Sequence, residues 1–353
     1  MGLTLTAHQV SQPLVRPYRL SFGDVAAFDT VYVSLEGDGR LGIGEITPLP
    51  GYSHETIQSV REDVGRIRGI LAGREVREWE TIFNDLHATS PFVASGFLSA
   101  LQTWREDFIQ ACRADHFPAI ALTALCGASS PDKAGQEAVA LADKGYGAIK
   151  IKVGRDARAD LAIVEEVYRQ VGERVSLRLD ANQRLATNDA VRLCRALEGK
   201  ENILLEQPFA PGNSHDLARL AQSTPVPIMQ DESVWSPEDI VEAKRCGARL
   251  VKCKLCKHKG IDGTMGMIEL ARSEGLEVVF GNGVQSVWGN YLEAWIHGRC
   301  GVQTASEGNG FAKVASPLIR GGLSVRDGHL HAEPFTDLAG ELAAMPVLIS
   351  VKL

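Results

Sequence analysis

Three carboxylates recur at nearly regular intervals in the second half of the chain, each at the end of a short apolar run. Asp180 closes SLRLD, Glu206 closes ILLE, and Asp231 follows VPIMQ. Lys152 stands one interval before the three, and Lys254 stands one interval after them. The intervals are about 23 to 28 residues, which is the length of one strand plus one helix in a barrel of alternating β and α units. The pattern predicts five consecutive parallel strands whose carboxyl ends open at one face of a barrel.

The same period extends in both directions and predicts an α/β barrel domain over residues 116–320. The intervening segments begin with helix-capping residues and end at or near glycine, as helices do. The eight predicted strand ends lie near Cys126, Lys152, Asp180, Glu206, Gln230 to Asp231, Lys254, Phe280 and Ser306.

Residues 1–115 lack this period and predict a separate α+β capping domain. Residues 30–46 have the pattern of a β-hairpin across a Gly-Asp-Gly turn, and residues 54–73 and 95–113 have helical patterns. The last segment, 321–353, again has strand and turn patterns, and we expect it to join the capping domain. A chain of 353 residues can hold a barrel of about 200 to 250 residues and such a companion.

Composition narrows the class of partner. The formal net charge is -7 and the pI is near 5.8, so the chain lacks the basic surface that nucleic-acid binding requires. No apolar stretch approaches the roughly 20 residues needed to span a bilayer, and the first residues lack the features of a signal peptide. We therefore expect a cytoplasmic protein that acts on a small molecule, without a nucleic-acid or membrane partner.

The seven cysteines are scattered and odd in number, which predicts reduced thiols. Cys253 and Cys256 form a CxxC motif, but zinc or redox chemistry would need a second ligand pair or a thioredoxin-like context. On a strand whose lysines face inward, Cys253 faces the helices, which predicts a packing role.

Divalent metal binding is the chemistry that the carboxylates predict together. A single aspartate after a strand is often only the N-cap of the next helix. Three carboxylates on adjacent strands supply the oxygen ligands that Mg²⁺ prefers. Lys150 and Lys152 are two apart on an apolar strand, so they share one face and each ammonium disfavours the charge of the other. Such a lysine can move a proton next to a carboxylate whose developing charge a metal ion stabilises.

These motifs together resemble the enolase superfamily, and specifically its muconate lactonizing enzyme subgroup. The resemblance runs from the GxGE turn at 42–45 through the KxK, DxN, EQP and DES motifs to the sixth-strand lysine and the DG pair at 327–328. It implies a TIM-like, modified (β/α)7β barrel with an N-terminal capping domain. It also implies Mg²⁺, with Mn²⁺ as a substitute, bound by Asp180, Glu206 and Asp231.

The resemblance further implies roles for the lysines. Lys152 and Lys254 would be the acid or base on opposite faces of the substrate, and Lys150 would tune Lys152. Residues 22–24 and 51–55 fall where capping-domain loops of the family close over the pocket. Candidate substrate-binding residues are Tyr52, Asn182, Lys252, Gln285 and Glu307.

Three positions depart from the family pattern. Lys252 stands where relatives usually carry asparagine; it either lowers the proton affinity of Lys254 or pairs with a carboxylate such as Asp231 or Glu232. Lys259-Gly260 replaces a frequent Gly-Gly pair.

The third departure is at the predicted eighth strand. Dipeptide epimerases of the subgroup hold an ammonium group with two aspartates spaced by one residue, whereas this chain has Glu307-x-Asn309. Glu307 either binds an amine alone or lies at the start of the next helix.

Two lysines across a metal-bound carboxylate permit 1,1-proton transfer, so we expect a Mg-dependent racemase or epimerase of an N-substituted amino acid, dipeptide or related carboxylic acid. The same groups also support an o-succinylbenzoate synthase-type dehydratase or a muconate-type cycloisomerase. A Schiff-base lyase and a non-catalytic binding scaffold are more remote alternatives. Family likeness and the general prevalence of symmetric assemblies predict a homo-oligomer.

Overall fold

The computed structural model describes residues 2–20, 23–49, 52–112 and 117–352. Phe22 and Gly51, which begin the two predicted capping loops, lie outside the described residues. Among the described helices, none is both long enough and apolar enough to cross a membrane.

An antiparallel sheet forms the N-terminal part of the structure. Its strand order is β14-β1-β2-β3, with β1 at Thr4–Leu20, β2 at Gly23–Gly37, β3 at Arg40–Ile46 and β14 at Val347–Lys352. The predicted hairpin is confirmed, because Gly37 pairs with Arg40 and both turn residues, Asp38 and Gly39, have positive φ. Strand β1 was not predicted from the sequence, because its polar and apolar residues alternate irregularly.

Helices cover one face of this sheet: α1 at Ile57–Leu71, α2 at Val76–Leu86, α3 at Pro91–Arg105 and α4 at Phe108–Cys112. The predicted helix over 95–113 is broken at Asp107, which has a φ of 49°. Helix α3 lies very close to β3. A Cβ on Gly44 would lie 1.8 Å from the backbone oxygen of Gly96, so this contact requires glycine.

A parallel sheet of seven strands in sequential order follows. The strands are β5 Thr123–Cys126, β6 Ala148–Lys152, β7 Ser176–Asp180, β8 Ile203–Glu206, β9 Ile228–Gln230, β10 Leu250–Cys253 and β11 Glu277–Phe280. They are short, as the length of the apolar runs predicts. The first seven predicted strand ends are confirmed to within one residue.

Helices alternate with these strands and pack apolar faces against them. They are α5 Pro131–Asp143, α6 Ala157–Val171, α7 Thr187–Ala196, α8 Ser214–Ser223, α9 Pro237–Arg245, α10 Gly260–Ser273 and α11 Val287–Arg299. A 3₁₀ turn at Leu255–Lys257 separates β10 from α10.

A short segment at Ser306 and Glu307 bonds to both edge strands of the parallel sheet. The Ser306 amide donates to the Ala121 oxygen at 2.8 Å, and the Thr123 amide donates to the Ser306 oxygen at 2.8 Å. On the other side, the Glu307 amide donates to the Phe280 oxygen at 2.9 Å. The eighth predicted strand end therefore lies between the first and last strands, as an isolated bridge rather than a full strand.

The C-terminal segment pairs with two different sheets. β12 (Gly321–Arg326) and β13 (His329–Phe335) form a hairpin, and β13 pairs with the short strand β4 at Ile120–Ala121. After α12 (Leu338–Ala343), strand β14 returns to β1. The domain limits at 115/116 and 320/321 stay a prediction.

One buried carboxylate connects the N-terminal sheet to the parallel-sheet region. Glu45, in β3, lies against the start of α11 and accepts hydrogen bonds from the backbone amides of Ser286 and Gly289 at 2.6 and 2.8 Å. The hydroxyls of Thr47 and Ser286 donate to the same carboxylate at 2.8 and 2.9 Å. Burial raises the pKa of Glu45.

Candidate active site

The three predicted metal ligands emerge at one edge of the parallel sheet. Asp180 and Glu206 are the last residues of β7 and β8 and are paired in register, and Asp231 directly follows β9. All three side chains are buried. Alternation along each strand turns them away from the helices, and this gives a row of acids across three neighbouring strands.

Two lysine ammonium groups show that the three carboxylates lie close together. Lys150 Nζ lies 2.8 Å from Asp180 Oδ2 and 3.0 Å from Glu206 Oε1. Lys252 Nζ lies 2.5 Å from Glu206 Oε1 and 3.7 Å from Asp231 Oδ2. Because each ammonium contacts two neighbouring carboxylates, the three carboxylates face one shared volume.

Lys152 and Lys254 lie at opposite ends of this row. Lys152 Nζ donates to Asp180 Oδ2 and to the Asn182 side-chain oxygen, both at 2.6 Å. Lys254 Nζ donates to Asp231 Oδ2 at 2.9 Å. Their strands, β6 and β10, are separated by the three acid-bearing strands. The side chain of Lys152 is 40% exposed and that of Lys254 only 6%, so the two amines share a site but differ in their contact with solvent.

Tyr52 from the N-terminal part covers Lys254. Its hydroxyl donates to Asp231 Oδ1 at 2.9 Å and accepts from Lys254 Nζ at 2.7 Å. The ammonium also lies 4.2 Å from the centre of the tyrosine ring, which favours the charged form. Burial raises the pKa of Tyr52 well above its ordinary value, and the charge of Asp231 adds to this. The residue is therefore a neutral phenol at physiological pH.

The charges of the row set one another's pKa. Burial would raise the pKa of Asp180, but Lys150 and Lys152 hold it below its usual value. Burial and the neighbouring Asp180 raise the pKa of Glu206 to about 7. Burial would lower the pKa of Lys254, but the charge of Asp231 raises it above its ordinary value. Asp180 and Asp231, at the two ends of the row, are thus members of ion pairs. Of the three carboxylates, the central Glu206 has the weakest preference for the ionised form.

The donor set fits a hard divalent cation. Its ligands would be carboxylate oxygens, which Mg²⁺ prefers, and two buried carboxylate oxygens of this cluster, Glu206 Oε2 and Glu232 Oε2, have no hydrogen-bond partner. As the side chains stand, no three Asp, Glu, His or Cys groups within the described ranges are placed to hold one ion together; the ammonium groups lie against the acids instead. The assignment of the ligands stays a prediction.

The predicted substrate residues divide into two groups. Asn182 lies in the site, where its side-chain nitrogen donates to Glu232 Oε1 at 3.0 Å. The Gln285 side-chain oxygen accepts from the Gly283 amide at 2.9 Å, within its own loop, and its role as a substrate residue stays a prediction. Tyr52, Lys252 and Glu307 all lie among the charged groups.

Lys252 pairs with carboxylates. Its ammonium lies 2.8 Å from Glu307 Oε1 in addition to its contact with Glu206. The pairing alternative thus describes the structure, although Glu206 and Glu307 are closer partners than Asp231. Glu307 itself contacts lysines rather than the start of the following 3₁₀ helix at Gly310–Lys313.

Two cations of the site were not predicted from the sequence. Lys257 is fully buried, donates to the Asp231 backbone oxygen at 2.6 Å and lies 5.0 Å from the Trp235 ring centre. Arg178 is buried between β6 and β8 and donates to the Ala305 oxygen at 2.6 Å. Arg178 stands two residues before Asp180 on the same strand face, which is a signal that could have found it.

Burial governs the reactivity of the cysteines in the described part of the chain. The six whose side chains are described are free thiols, as predicted; the Cys112 side chain lies outside the described set. Cys253 and Cys256 are buried, and burial raises the pKa of each thiol to about 12. Both are inert thiols at physiological pH.

Comparison with known proteins now identifies the family. Residues 133–335 match the family described as Enolase C-terminal domain-like, which is more than half of the chain. The chain belongs to the enolase superfamily. Its relatives place it in the mandelate racemase/muconate lactonizing enzyme subgroup, as the motifs indicated.

The relatives are isomerases. The chain is 27% identical over 302 residues to the L-Ala-D/L-Glu epimerase of Bacillus subtilis (strain 168), and the aligned region covers 81% of this chain and 82% of the relative. It is 26% identical over 350 residues to muconate cycloisomerase 1 of Rhodococcus opacus, which covers 94% and 93% of the two chains. Epimerases and cycloisomerases are both isomerases, and the chain is an isomerase of this superfamily.

A solved structure supports the fold. The dipeptide epimerase from Enterococcus faecalis V583, complexed with Mg and the dipeptide L-Leu-L-Tyr, matches with a TM-score of 0.82 at 22% identity and covers 95% of this chain and 98% of that one. The likeness shows a TIM-like fold with an N-terminal antiparallel domain. The Mg and the dipeptide belong to that protein.

Proposed function

We propose that this isomerase moves the proton on the carbon next to a substrate carboxylate, and that it racemises or epimerises an N-substituted amino acid, a dipeptide or a related acid. One observation carries the proposal: Lys152 and Lys254 stand at the two ends of one row of buried acids. Two amines placed on either side of a carbon can remove a proton from one face and return it to the other.

Mg²⁺ is the cofactor of the proposal, and Mn²⁺ is a substitute with the same oxygen ligands. Asp180, Glu206 and Asp231 would hold the ion. When bound, it would supply positive charge that polarises the substrate carboxylate and stabilises the negative charge that develops as the proton leaves.

The remaining steps belong to the chain's own residues. Lys152 accepts or delivers the proton at the more exposed end, where Asn182 orients its ammonium. Lys254 does the same at the buried end, held between Asp231 and the Tyr52 hydroxyl. Lys150, two residues from Lys152, shares Asp180 Oδ2 with it and so tunes Lys152 through a second positive charge at the same carboxylate. Tyr52 excludes water from the Lys254 end.

Several finer features complete the proposal. The hydrogen bonds of Ser306 and Glu307 to both edge strands support closure of the sheet into a (β/α)7β barrel, with residues 1–115 and the return of 321–353 as the capping domain. The sequence supports a cytoplasmic enzyme, and the general prevalence of symmetric assemblies supports a homo-oligomer.

Proton exchange in D₂O tests the proposal. Purified protein with Mg²⁺ is incubated with single enantiomers of N-acyl amino acids and dipeptides, and loss of the α-proton is followed by NMR. We expect Lys152→Ala and Lys254→Ala each to abolish exchange from one enantiomer and inversion from both, with a loss of about 10²- to 10⁴-fold. Lys133→Ala, on the exposed surface of α5, is the matched control and should be unchanged. Equal loss for both enantiomers in both variants would refute the two-sided arrangement.

A second candidate is supported by the unequal surroundings of the two lysines. Lys152 is partly exposed, whereas Lys254 is buried under Tyr52. Such asymmetry suits a reaction in which one lysine moves the proton and the other only stabilises charge, as in a muconate-type cycloisomerase or an o-succinylbenzoate synthase-type dehydratase. Turnover of a muconate or a succinylbenzoate precursor that survives one of the two lysine substitutions would favour this candidate.

A further inference from the structure

Glu307 lies at the point where the parallel sheet meets its closing segment. Three cations surround its carboxylate. Oε1 is 2.8 Å from Lys252 Nζ, 3.2 Å from Lys150 Nζ and 3.6 Å from Arg178 Nη1. Its side chain is 15% exposed, so the carboxylate is open to the site but already paired. We call Glu307, Lys150, Lys252 and Arg178 the Glu307 cluster.

We propose that Lys252 is the specificity-determining residue of this site: by pairing with Glu307 it makes the enzyme reject substrates with a cationic α-amine and select N-acylated amino acids. This inference rests on the proposed proton-transfer function and names its substrate class. It separates the chain from relatives whose names describe dipeptide epimerases, since an unmodified dipeptide carries an ammonium group at its amino end.

The first support is the strength of the pairing. Lys252 is completely buried, and its ammonium bridges Glu307 and Glu206. A buried ammonium cannot turn to solvent, so it leaves Glu307 only at the cost of an unpaired buried charge. Burial would raise the pKa of Glu307, but Lys150, Lys252 and Arg178 hold it well below its ordinary value. The carboxylate is therefore ionised and fully compensated.

The second support comes from the other polar groups on this wall. The Asn309 side-chain nitrogen donates to the Thr123 backbone oxygen at 3.3 Å, so it is directed at the sheet edge. Glu293 Oε2 would lie 4.0 Å from a Cβ on Gly308, but this side chain is buried and its Oε2 accepts from the Asn290 side-chain nitrogen at 2.8 Å. Among the described residues of this wall, Asn309 therefore brings no charge, and the Glu293 carboxylate is bonded to Asn290.

The third support is the balance of charge across the whole site. Across the row of acids and the Glu307 cluster, the cations outnumber the carboxylates even before any metal ion is added. A further cation beside the Glu307 cluster would meet like charges at close range, which disfavours binding. An amide nitrogen brings no charge, and its acyl oxygen can accept from an ammonium. The cations are Lys150, Lys152, Arg178, Lys252, Lys254 and Lys257; the carboxylates are Asp180, Glu206, Asp231, Glu232 and Glu307.

The test compares each L-Ala-L-Xaa dipeptide with its N-acetyl derivative, because acetylation removes the ammonium charge and keeps the rest of the skeleton. Exchange of the α-proton in D₂O with Mg²⁺ gives kcat and KM for each compound. For the wild-type enzyme we expect kcat/KM for the acetylated form to exceed that of the free amine on the order of 100-fold, mainly through KM.

Three variants link this preference to Lys252. Lys252→Met removes the cation closest to Glu307 and leaves the carboxylate to Lys150 and Arg178, and it should lower the preference to less than about 10-fold. Lys252→Arg keeps the positive charge and should keep the preference. Adding Glu307→Gln to Lys252→Met removes the carboxylate as well and should restore the preference. Competitive binding of the poorest substrates, measured by calorimetry, gives the same ranking independently of turnover and of changes in kcat.

The possible outcomes distinguish a failure of the inference from a failure of the proposed function. Exchange of free-amine dipeptides at equal or better kcat/KM, or an unchanged preference in a folded Lys252→Met enzyme, would overturn the inference and leave the proposed function standing. If no compound of either set exchanges its α-proton, the proposed function fails and the inference fails with it.

Discussion

Replacing Glu45 with glutamine isolates the buried contact between β3 and α11. One carboxylate oxygen accepts from the Ser286 amide and the Thr47 hydroxyl; the other accepts from the Gly289 amide and the Ser286 hydroxyl. Glutamine has one oxygen and one NH₂ group, so in either orientation one backbone amide faces a donor. An unsatisfied buried donor costs about 1 to 3 kcal/mol, and the lost charge at a helix N-terminus adds about 0.3 to 1 kcal/mol.

We therefore expect Glu45→Gln to lower the free energy of unfolding by about 2 to 3 kcal/mol. The assay is urea unfolding at pH 8, on the geometry in which both Glu45 oxygens only accept hydrogen bonds. Hydrogen exchange of the Ser286 and Gly289 amides should accelerate in the variant. Glu36→Gln, on an exposed position of β2, is the matched control and should change stability by less than about 0.5 kcal/mol. Equal urea midpoints for Glu45→Gln and Glu36→Gln would refute the stabilising role of this buried contact.

Three other predictions concern pH, metal and backbone strain. Burial lowers the pKa of His297, whose Nε2 bonds to the Thr304 oxygen at 3.0 Å. The folded pKa is thus below the unfolded value of about 6.5, so the stability that neutral His297 contributes is fully present above that pH. As the pH drops, this contribution falls by up to about 1.4 kcal/mol per pH unit. Urea unfolding at pH 7.5 and 5.5 should show a smaller drop for His297→Gln than for wild type. Mg²⁺ at 100 times its dissociation constant should raise the free energy of unfolding by about 2.7 kcal/mol; a thermal shift that EDTA reverses measures this, and a shift that persists in Asp180→Asn would contradict the assignment. Lys259 has a φ of 55°, so Lys259→Gly should relieve about 1 to 2 kcal/mol of strain against about 0.5 to 1 kcal/mol of added chain entropy; a lower urea midpoint would contradict this.

The strand ends could be predicted because short apolar runs recur along the chain at a regular spacing. A parallel barrel strand shows a short apolar run, and a charged residue directly after it marks the carboxyl end. Asp180, Glu206 and Asp231 each satisfy this pattern, so their common edge followed from spacing alone. The hairpin turn at Asp38 and Gly39 was predictable for an equally local reason, the need for two positive φ values.

The partners of the long side chains could not be predicted in the same way. Spacing places the Cα atom of Lys252, but its ammonium lies several rotatable bonds away and can reach any of several carboxylates. Lys257 left no signal, because it lies in a 3₁₀ turn rather than on a strand or helix of regular period. The contact between Glu45 and Ser286 joins residues 241 positions apart in the sequence, and no local sequence pattern indicates such a contact.

The pairing of β1 with β14 has a consequence for how the chain is synthesised. Thr6 and Ser350, which lie in register across these strands, are separated by 344 positions. During translation, the edge of β1 that faces β14 therefore has no native neighbour until residues 347–352 have been synthesised. An open strand edge is a template for other chains, so truncation before residue 347 should promote aggregation.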